Sequence, residues 1–214
     1  MYETESDISD IDQLDGNNTN TSEISDLSCV PSPSNVQCKD NTKRDKISDA
    51  LSLPTIATYN LRSLFPKVGN LTTDMLERKV DCGFLTEIWE QVDNKEHMNE
   101  IEKMLEISGL KYISSARPPN AKGVSYGGAA IVVNLERFSL EKINVNVPKN
   151  LEAVWGLIKP KSQSTKFKKI IVCSFYSPPS KKRNSKMADH IVSTLQMLRA
   201  KYPECGLILG ADKN

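Results

Sequence analysis

The chain has 214 residues, 38% of them hydrophobic and 26% charged, which suits one large soluble domain or one ordinary domain with a tail. Its longest apolar runs, Gly128–Val133 and Ile170–Cys173, fall far short of the roughly 20 residues a membrane-crossing helix needs. The N-terminus opens with acids and serines, not with the basic-then-apolar pattern of a secretory leader. The net charge of +1 conceals a division: residues 1–50 carry eleven Asp/Glu against four Lys/Arg, and residues 51–214 carry sixteen against twenty-four.

The first fifty residues hold one aromatic, Tyr2, and a Pro31-Ser32-Pro33 stretch. Such a segment cannot bury enough apolar surface to offset its ordering entropy, so residues 1–50 are expected to form a disordered acidic tail. The basic remainder suits a polyanion such as nucleic acid, although solubility alone explains a bias of this size equally well. Of the five cysteines, Cys82, Cys173 and Cys205 sit in apolar stretches and none forms a CxxC pair. They read as buried free thiols of a reducing, intracellular compartment, nuclear or cytoplasmic. Two histidines argue against a His-rich zinc site.

From Leu53 onward, short apolar runs alternate with amphipathic stretches. Thr55–Tyr59 predicts a strand, Val68–Lys79 a helix and Cys82–Leu85 a second, buried strand. Over Asn94–Ile107, the residues Met98, Ile101, Met104 and Leu105 share one helix face, and Gly109 stands where a helix ends. Strands are then predicted at Lys111–Ala116, Ala129–Asn134, Leu140–Val147, Ala153–Lys159 and Lys169–Tyr176. Ala188, Ile191, Val192, Leu195, Leu198 and Tyr202 make one stripe of a helix over Asn184–Lys201, closed by Pro203. Gly206–Gly210 is the final strand. Strand–helix–strand at both ends, with consecutive strands between, predicts an α/β sandwich of packed mixed sheets. No glycine-rich nucleotide-cofactor loop is present.

Four stretches set polar residues where a buried strand ends: Tyr59-Asn60-Leu61-Arg62, Leu85-Thr86-Glu87, Phe175-Tyr176-Ser177-Pro178 and Gly210-Ala211-Asp212-Lys213-Asn214. Singly, each is an ordinary turn. Jointly, TYNLRSL, LTEIWE, YGGAAIVV, FYSPP and LILGADKN resemble the endonuclease/exonuclease/phosphatase superfamily. Within it, the Asn-x-Arg-Ser-Leu start and the Thr-Glu-x-Trp motif are most similar to the apurinic-like endonuclease domain of non-LTR (LINE-type) retrotransposons. The likeness covers residues 54–214. It implies an α/β fold, a DNase I-like four-layer sandwich, here incomplete, behind the disordered tail.

The resemblance also implies roles. Glu87 matches a metal-binding carboxylate, for Mg²⁺ or alternatively Mn²⁺, and Asn60 the asparagine that helps place metal, water and phosphate. Asp212 matches the aspartate that orients or deprotonates the attacking water, and Asn214 the asparagine that steadies phosphoryl oxygens. Tyr176 matches a tyrosine donating to the scissile phosphate. Together these describe metal-assisted hydrolysis of DNA. Plainer readings stand beside them: Glu87 as an exposed charge, Tyr176 as a strand-ending aromatic, Trp89 as packing. Lys181-Lys182-Arg183 with Lys186 reads first as a solvated loop and second as a phosphate contact. His97 and His190 read as surface or packing residues.

Complete domains of the resembled family continue beyond the fourth motif with further strands and a catalytic Asp-His or Ser-Asp-His. The sequence ends at Asn214, so the expectation is a C-terminally truncated endonuclease domain with weak or no catalysis. The alternatives are a non-catalytic interaction protein, or a phosphatase of the same superfamily acting on a small ester. No protein partner is indicated.

Overall fold

A computed structural model describes residues 53–90, 94–117, 119, 125–162, 167–177 and 180–213. The expected disordered tail and Asn214 lie outside the described residues. Within them run β1 (Ile56–Asn60), α1 (Val68–Glu77), β2 (Cys82–Thr86), α2 (Lys95–Ile107), β3 (Leu110–Ser115), β4 (Ala129–Asn134), β5 (Phe138–Lys142), β6 (Glu152–Pro160), β7 (Ile170–Ser177), α3 (Lys181–Lys201) and β8 (Gly206–Lys213). A single 3₁₀ turn, Phe65–Lys67, leads into α1.

The strands form two four-stranded sheets, ordered β1-β2-β4-β3 and β5-β6-β7-β8. β1 pairs parallel with β2, and β7 parallel with β8. In each case the connection carries a helix, as a parallel crossover requires. All other pairs are antiparallel.

Side chains alternate between the faces of a strand, and three apolar clusters follow from that alternation. Leu85, Ala130, Val132 and Leu110 of the first sheet pack under Val68, Leu71 and Met75 of α1 and Ile101 and Leu105 of α2. The opposite faces of the same strands present Cys82, Phe84, Ile131 and Val133 to Val154, Ile158, Ile170 and Val172 of the second sheet. Beyond that sheet, Ala153, Trp155, Leu157, Ile171 and Cys173 receive Met187, Ile191 and Leu198 of α3. Helix, sheet, sheet and helix are therefore stacked as the expected four-layer α/β sandwich. Among the described residues no helix is long and apolar enough to cross a membrane.

Several boundaries differ from the sequence reading. α3 begins at Lys181, with Ser180 as N-cap, so Lys181-Lys182-Arg183 is a first helical turn and not a loop. β8 runs to Lys213 because every residue from Gly206 onward has a ladder partner on β7; Asp212 is thus a strand residue. β5 is the short run Phe138–Lys142, set by Phe138 pairing with Pro160, and not Leu140–Val147. Cys82 and Cys173 are buried free thiols, but Cys205 is only half-buried.

Candidate active site

Register fixes which inward-facing residues share one end of the sandwich. In the first sheet Asn60 stands opposite Thr86, Thr86 opposite Ala129, and Ala129 opposite Ser115. In the second, Glu152 stands opposite Tyr176, and Tyr176 opposite Asp212. Parity puts all of these on the inner faces, since Phe84, Ile131, Val154, Val172 and Ile208 of the same strands belong to the inter-sheet cluster. Two polar rows consequently face each other where the apolar filling stops.

They touch at one point. The Asn60 side-chain amide donates to Asp212 Oδ2 at 2.6 Å. The Thr86 hydroxyl lies 3.4 Å from the same oxygen and equally far from the Tyr59 carbonyl. Deeper in, the fully buried Ser174 hydroxyl donates to the Leu85 carbonyl at 3.1 Å, a second link between sheets. Tyr59, on the opposite face of β1, donates to Asp74 of α1 at 2.8 Å. Burial, then that carboxylate, push its phenol up to about 12, so it stays a neutral donor anchoring the residue beside Asn60.

Glu87 follows β2 in a left-handed conformation, φ 52°, as do Trp89 at 49° and, after β1, Arg62 at 48° and Ser63 at 100°. Each such non-glycine residue costs on the order of 1–3 kcal/mol and persists only where its surroundings enforce it. Here the enforcement is a ladder continuing past both strand ends: Leu61, Ser63 and Leu64 donate to the carbonyls of Thr86, Glu87 and Ile88 at 2.8–3.1 Å. With φ positive at both Glu87 and Trp89, strand alternation does not continue past Thr86. Trp89 packs edge-on against Tyr126, ring centres 5.1 Å apart.

The turn before β4 closes the floor. Gly127 and Gly128 both have positive φ, 97° and 87°, and the Gly127 carbonyl accepts from the Trp89 N–H at 2.9 Å. The Gly128 N–H donates to the buried carboxylate of Glu152, which also pairs with Arg117. A methyl at Gly127 would collide with that carboxylate. Glu152, Thr86 and Arg117 were not read from the sequence; the available signal was an acid opening the otherwise apolar run Glu152–Ile158.

Asn60, Glu87, Tyr176 and Asp212 thus lie at one end of the two sheets, while Asn214 lies outside the described residues. Among the described residues no three His, Cys, Asp or Glu side chains gather as a cage for a metal. A largely hydrated Mg²⁺ needs no such cage, being commonly held by one or two carboxylates plus waters. Glu87 has no side-chain hydrogen bond or ion pair among the described residues, and Asn60 turns its NH₂ to Asp212, which leaves its amide oxygen without a hydrogen bond among them. Neither histidine hydrogen-bonds Asn60, Glu87, Tyr176 or Asp212 in any contact among the described residues: His97 stacks on Phe65 with ring centres 4.2 Å apart, and buried His190 accepts from Trp155 Nε1 at 3.4 Å.

No protein-family model matches the sequence, and no curated protein matches it. Solved structures match in fold. A mannosyl-6-phosphatase of Bacteroides thetaiotaomicron VPI-5482 superposes with a TM-score of 0.56 at 16% identity, covering 75% of this chain and 65% of that one. An endonuclease/exonuclease/phosphatase family protein from the same species gives 0.54 at 16% identity, over 74% and 61%. The human Nocturnin catalytic domain, with bound sulfate, gives 0.53 at 14% identity, over 74% and 64%. The chain spans less than two thirds of the length of each. At these identities the likeness is one of fold, and that fold is the DNase I-like sandwich which the motifs implied.

Proposed function

We propose that the chain is a metal-assisted phosphodiester hydrolase domain of the non-LTR retrotransposon endonuclease type, acting on DNA and weak in the 214-residue form. The observation that carries the reading is the Asn60–Asp212 hydrogen bond, which joins the first and last motifs across the sheets. The lineage rests on the TYNLRSL and LTEIWE motifs.

In this reading Asp212 accepts the proton of the attacking water. Asn60 holds the aspartate through Oδ2, leaving Oδ1 to face that water. Tyr176, paired with Asp212 across β7 and β8, donates its hydroxyl to a phosphoryl oxygen. Glu87 and the amide oxygen of Asn60 hold Mg²⁺ or Mn²⁺, which supplies Lewis-acid stabilisation of charge growing on the phosphate. Neither histidine is assigned as a phosphate donor in this reading: His97 stacks on Phe65 and His190 receives the Trp155 indole N–H. One such donor is worth about 10²–10³ in rate, hence the weak activity.

A substrate whose leaving group needs no proton separates these elements. The chain should hydrolyse thymidine 5′-(p-nitrophenyl) phosphate in Mg²⁺, with the activity lost in EDTA, in Glu87→Gln and in Asp212→Asn. Nicking of supercoiled plasmid should not exceed that of the double variant. No ester hydrolysis by the wild-type chain would refute the reading, and preferred hydrolysis of mannose 6-phosphate would replace it with a phosphatase.

A further inference from the structure

Beside the polar rows, at the start of β6, lies a cleft of about 300 Å³ whose lining includes Arg117, Lys149, Glu152 and Arg183. Three cations meet one acid, and that acid is already engaged by the Gly128 N–H and by Arg117. Arg183 and Lys149 are exposed, and among the described residues neither has an ion-pair partner. Arg117 and Arg183 stand close enough to repel: burial first, then the Arg183 charge, push the Arg117 guanidinium pKa down. Like charges crowded at the mouth of a cleft are relieved by an anion, and planar guanidinium groups suit phosphate. The first turn of α3, which supplies Arg183, contains no acidic residue to balance the positive end of the helix.

The cleft and Asp212 are held in fixed relation by the sheet. Glu152, Tyr176 and Asp212 occupy successive strands in register, so the acid of the cleft stands about 10 Å from Asp212 at the usual ~4.8 Å strand spacing. One phosphate cannot occupy both places. A second phosphate of the same backbone can, because nucleic-acid phosphates recur along a strand.

We infer that the Arg117–Lys149–Arg183 cleft binds a non-scissile backbone phosphate of a nucleic-acid strand whose reacting phosphate lies at Asp212. The inference rests on the proposed site and deepens it: the substrate carries several phosphates in a row, which a sugar monophosphate does not.

The test is binding, which needs neither metal nor turnover. Anisotropy of a fluorescein-labelled 15-base-pair DNA duplex is titrated with the full 214-residue chain in EDTA over a range of NaCl. Arg183→Gln should weaken binding about 5-fold and lower the slope of log K against log[NaCl] by about 0.9, the value for one lost phosphate contact. Arg183→Lys should restore the slope, and Lys149→Gln should behave like Arg183→Gln. Lys201→Gln, a cation at the C-terminal end of α3 beside Tyr202, should change neither quantity, and Asp212→Asn should still bind. Equal losses in Lys201→Gln and Arg183→Gln, or no loss in Arg183→Gln, would overturn the inference. Loss of ester hydrolysis with cleft-dependent binding intact strikes the catalytic reading alone, so the two failures are distinguishable.

Discussion

Asn60 Nδ2 sits 2.6 Å from Asp212 Oδ2, joining residues 152 positions apart. The bond lies at an exposed sheet end, so it adds little to stability; its effect is orientation. An amide that donates to one carboxylate oxygen decides where the other points, and positioning of this kind is a large share of enzymic acceleration.

Asn60→Ala should therefore separate activity from folding. Hydrolysis of the nitrophenyl ester should fall about 10²-fold, as for loss of one preorganised donor, while urea unfolding changes by no more than about 1 kcal/mol. Equal turnover in the variant would show that Asp212 does not depend on Asn60.

Gly210 stands two residues before the same aspartate, on the same strand face. A methyl there would land on the Phe84 ring, in the layer where the two sheets meet. Gly210→Ala should destabilise the domain by about 1–3 kcal/mol through overpacking, and the added Phe84→Leu should recover part of that loss. Chemical denaturation of the single and double variants measures both; two additive losses would mean the ring is not the obstacle.

Glu90 gives a pH dependence whose sign is determined. The residue is 3% exposed and its carboxylate accepts from the Ser114 hydroxyl at 2.7 Å. Burial raises its pKa, against the opposing pull of the Ser114 and Tyr112 hydroxyls and of Lys142. A carboxyl with a raised folded pKa contributes stability that is complete below its unfolded value and is lost as pH rises through the folded value. Glu90→Gln, permanently neutral, should raise Tm by a few degrees at pH 8, at roughly 2–4 °C per kcal/mol for a domain of this size. The gain should vanish near pH 4. Thermal scans at both values check this, and a variant less stable at pH 8 would contradict it.

Much of the scaffold was legible because it depends on local pattern. β2 and β7 are apolar runs of strand length, and the α3 stripe from Ala188 to Leu198 has helical spacing. Where neighbours decide, the pattern misled. Ala211 to Lys213 read as a turn after glycine, yet parallel pairing with Phe175 to Ser177 keeps them extended. Lys181 to Arg183 read as a charged loop, yet the Ser180 hydroxyl accepts from the Arg183 N–H at 3.5 Å and starts the helix there. For the site, Asn60, Glu87, Tyr176 and Asp212 stood out as polar residues after buried strands. Glu152 did not, because its partners are a glycine turn and Arg117, both distant in sequence.

The central claim is that Asn60, Glu87 and Asp212 form one divalent-cation and phosphate site, and Mn²⁺ tests it without requiring turnover. In ¹⁵N-labelled chain, Mn²⁺ added at substoichiometric levels should broaden the side-chain amide resonances of Asn60 and the backbone resonances of Glu87 and Asp212. Those of Lys201, at the end of α3, and Cys205, just before β8, should stay sharp. Glu87→Gln should abolish the selective broadening while leaving the remaining spectrum in place. Absence of broadening at Asn60, or broadening equal in wild type and Glu87→Gln, would contradict the account.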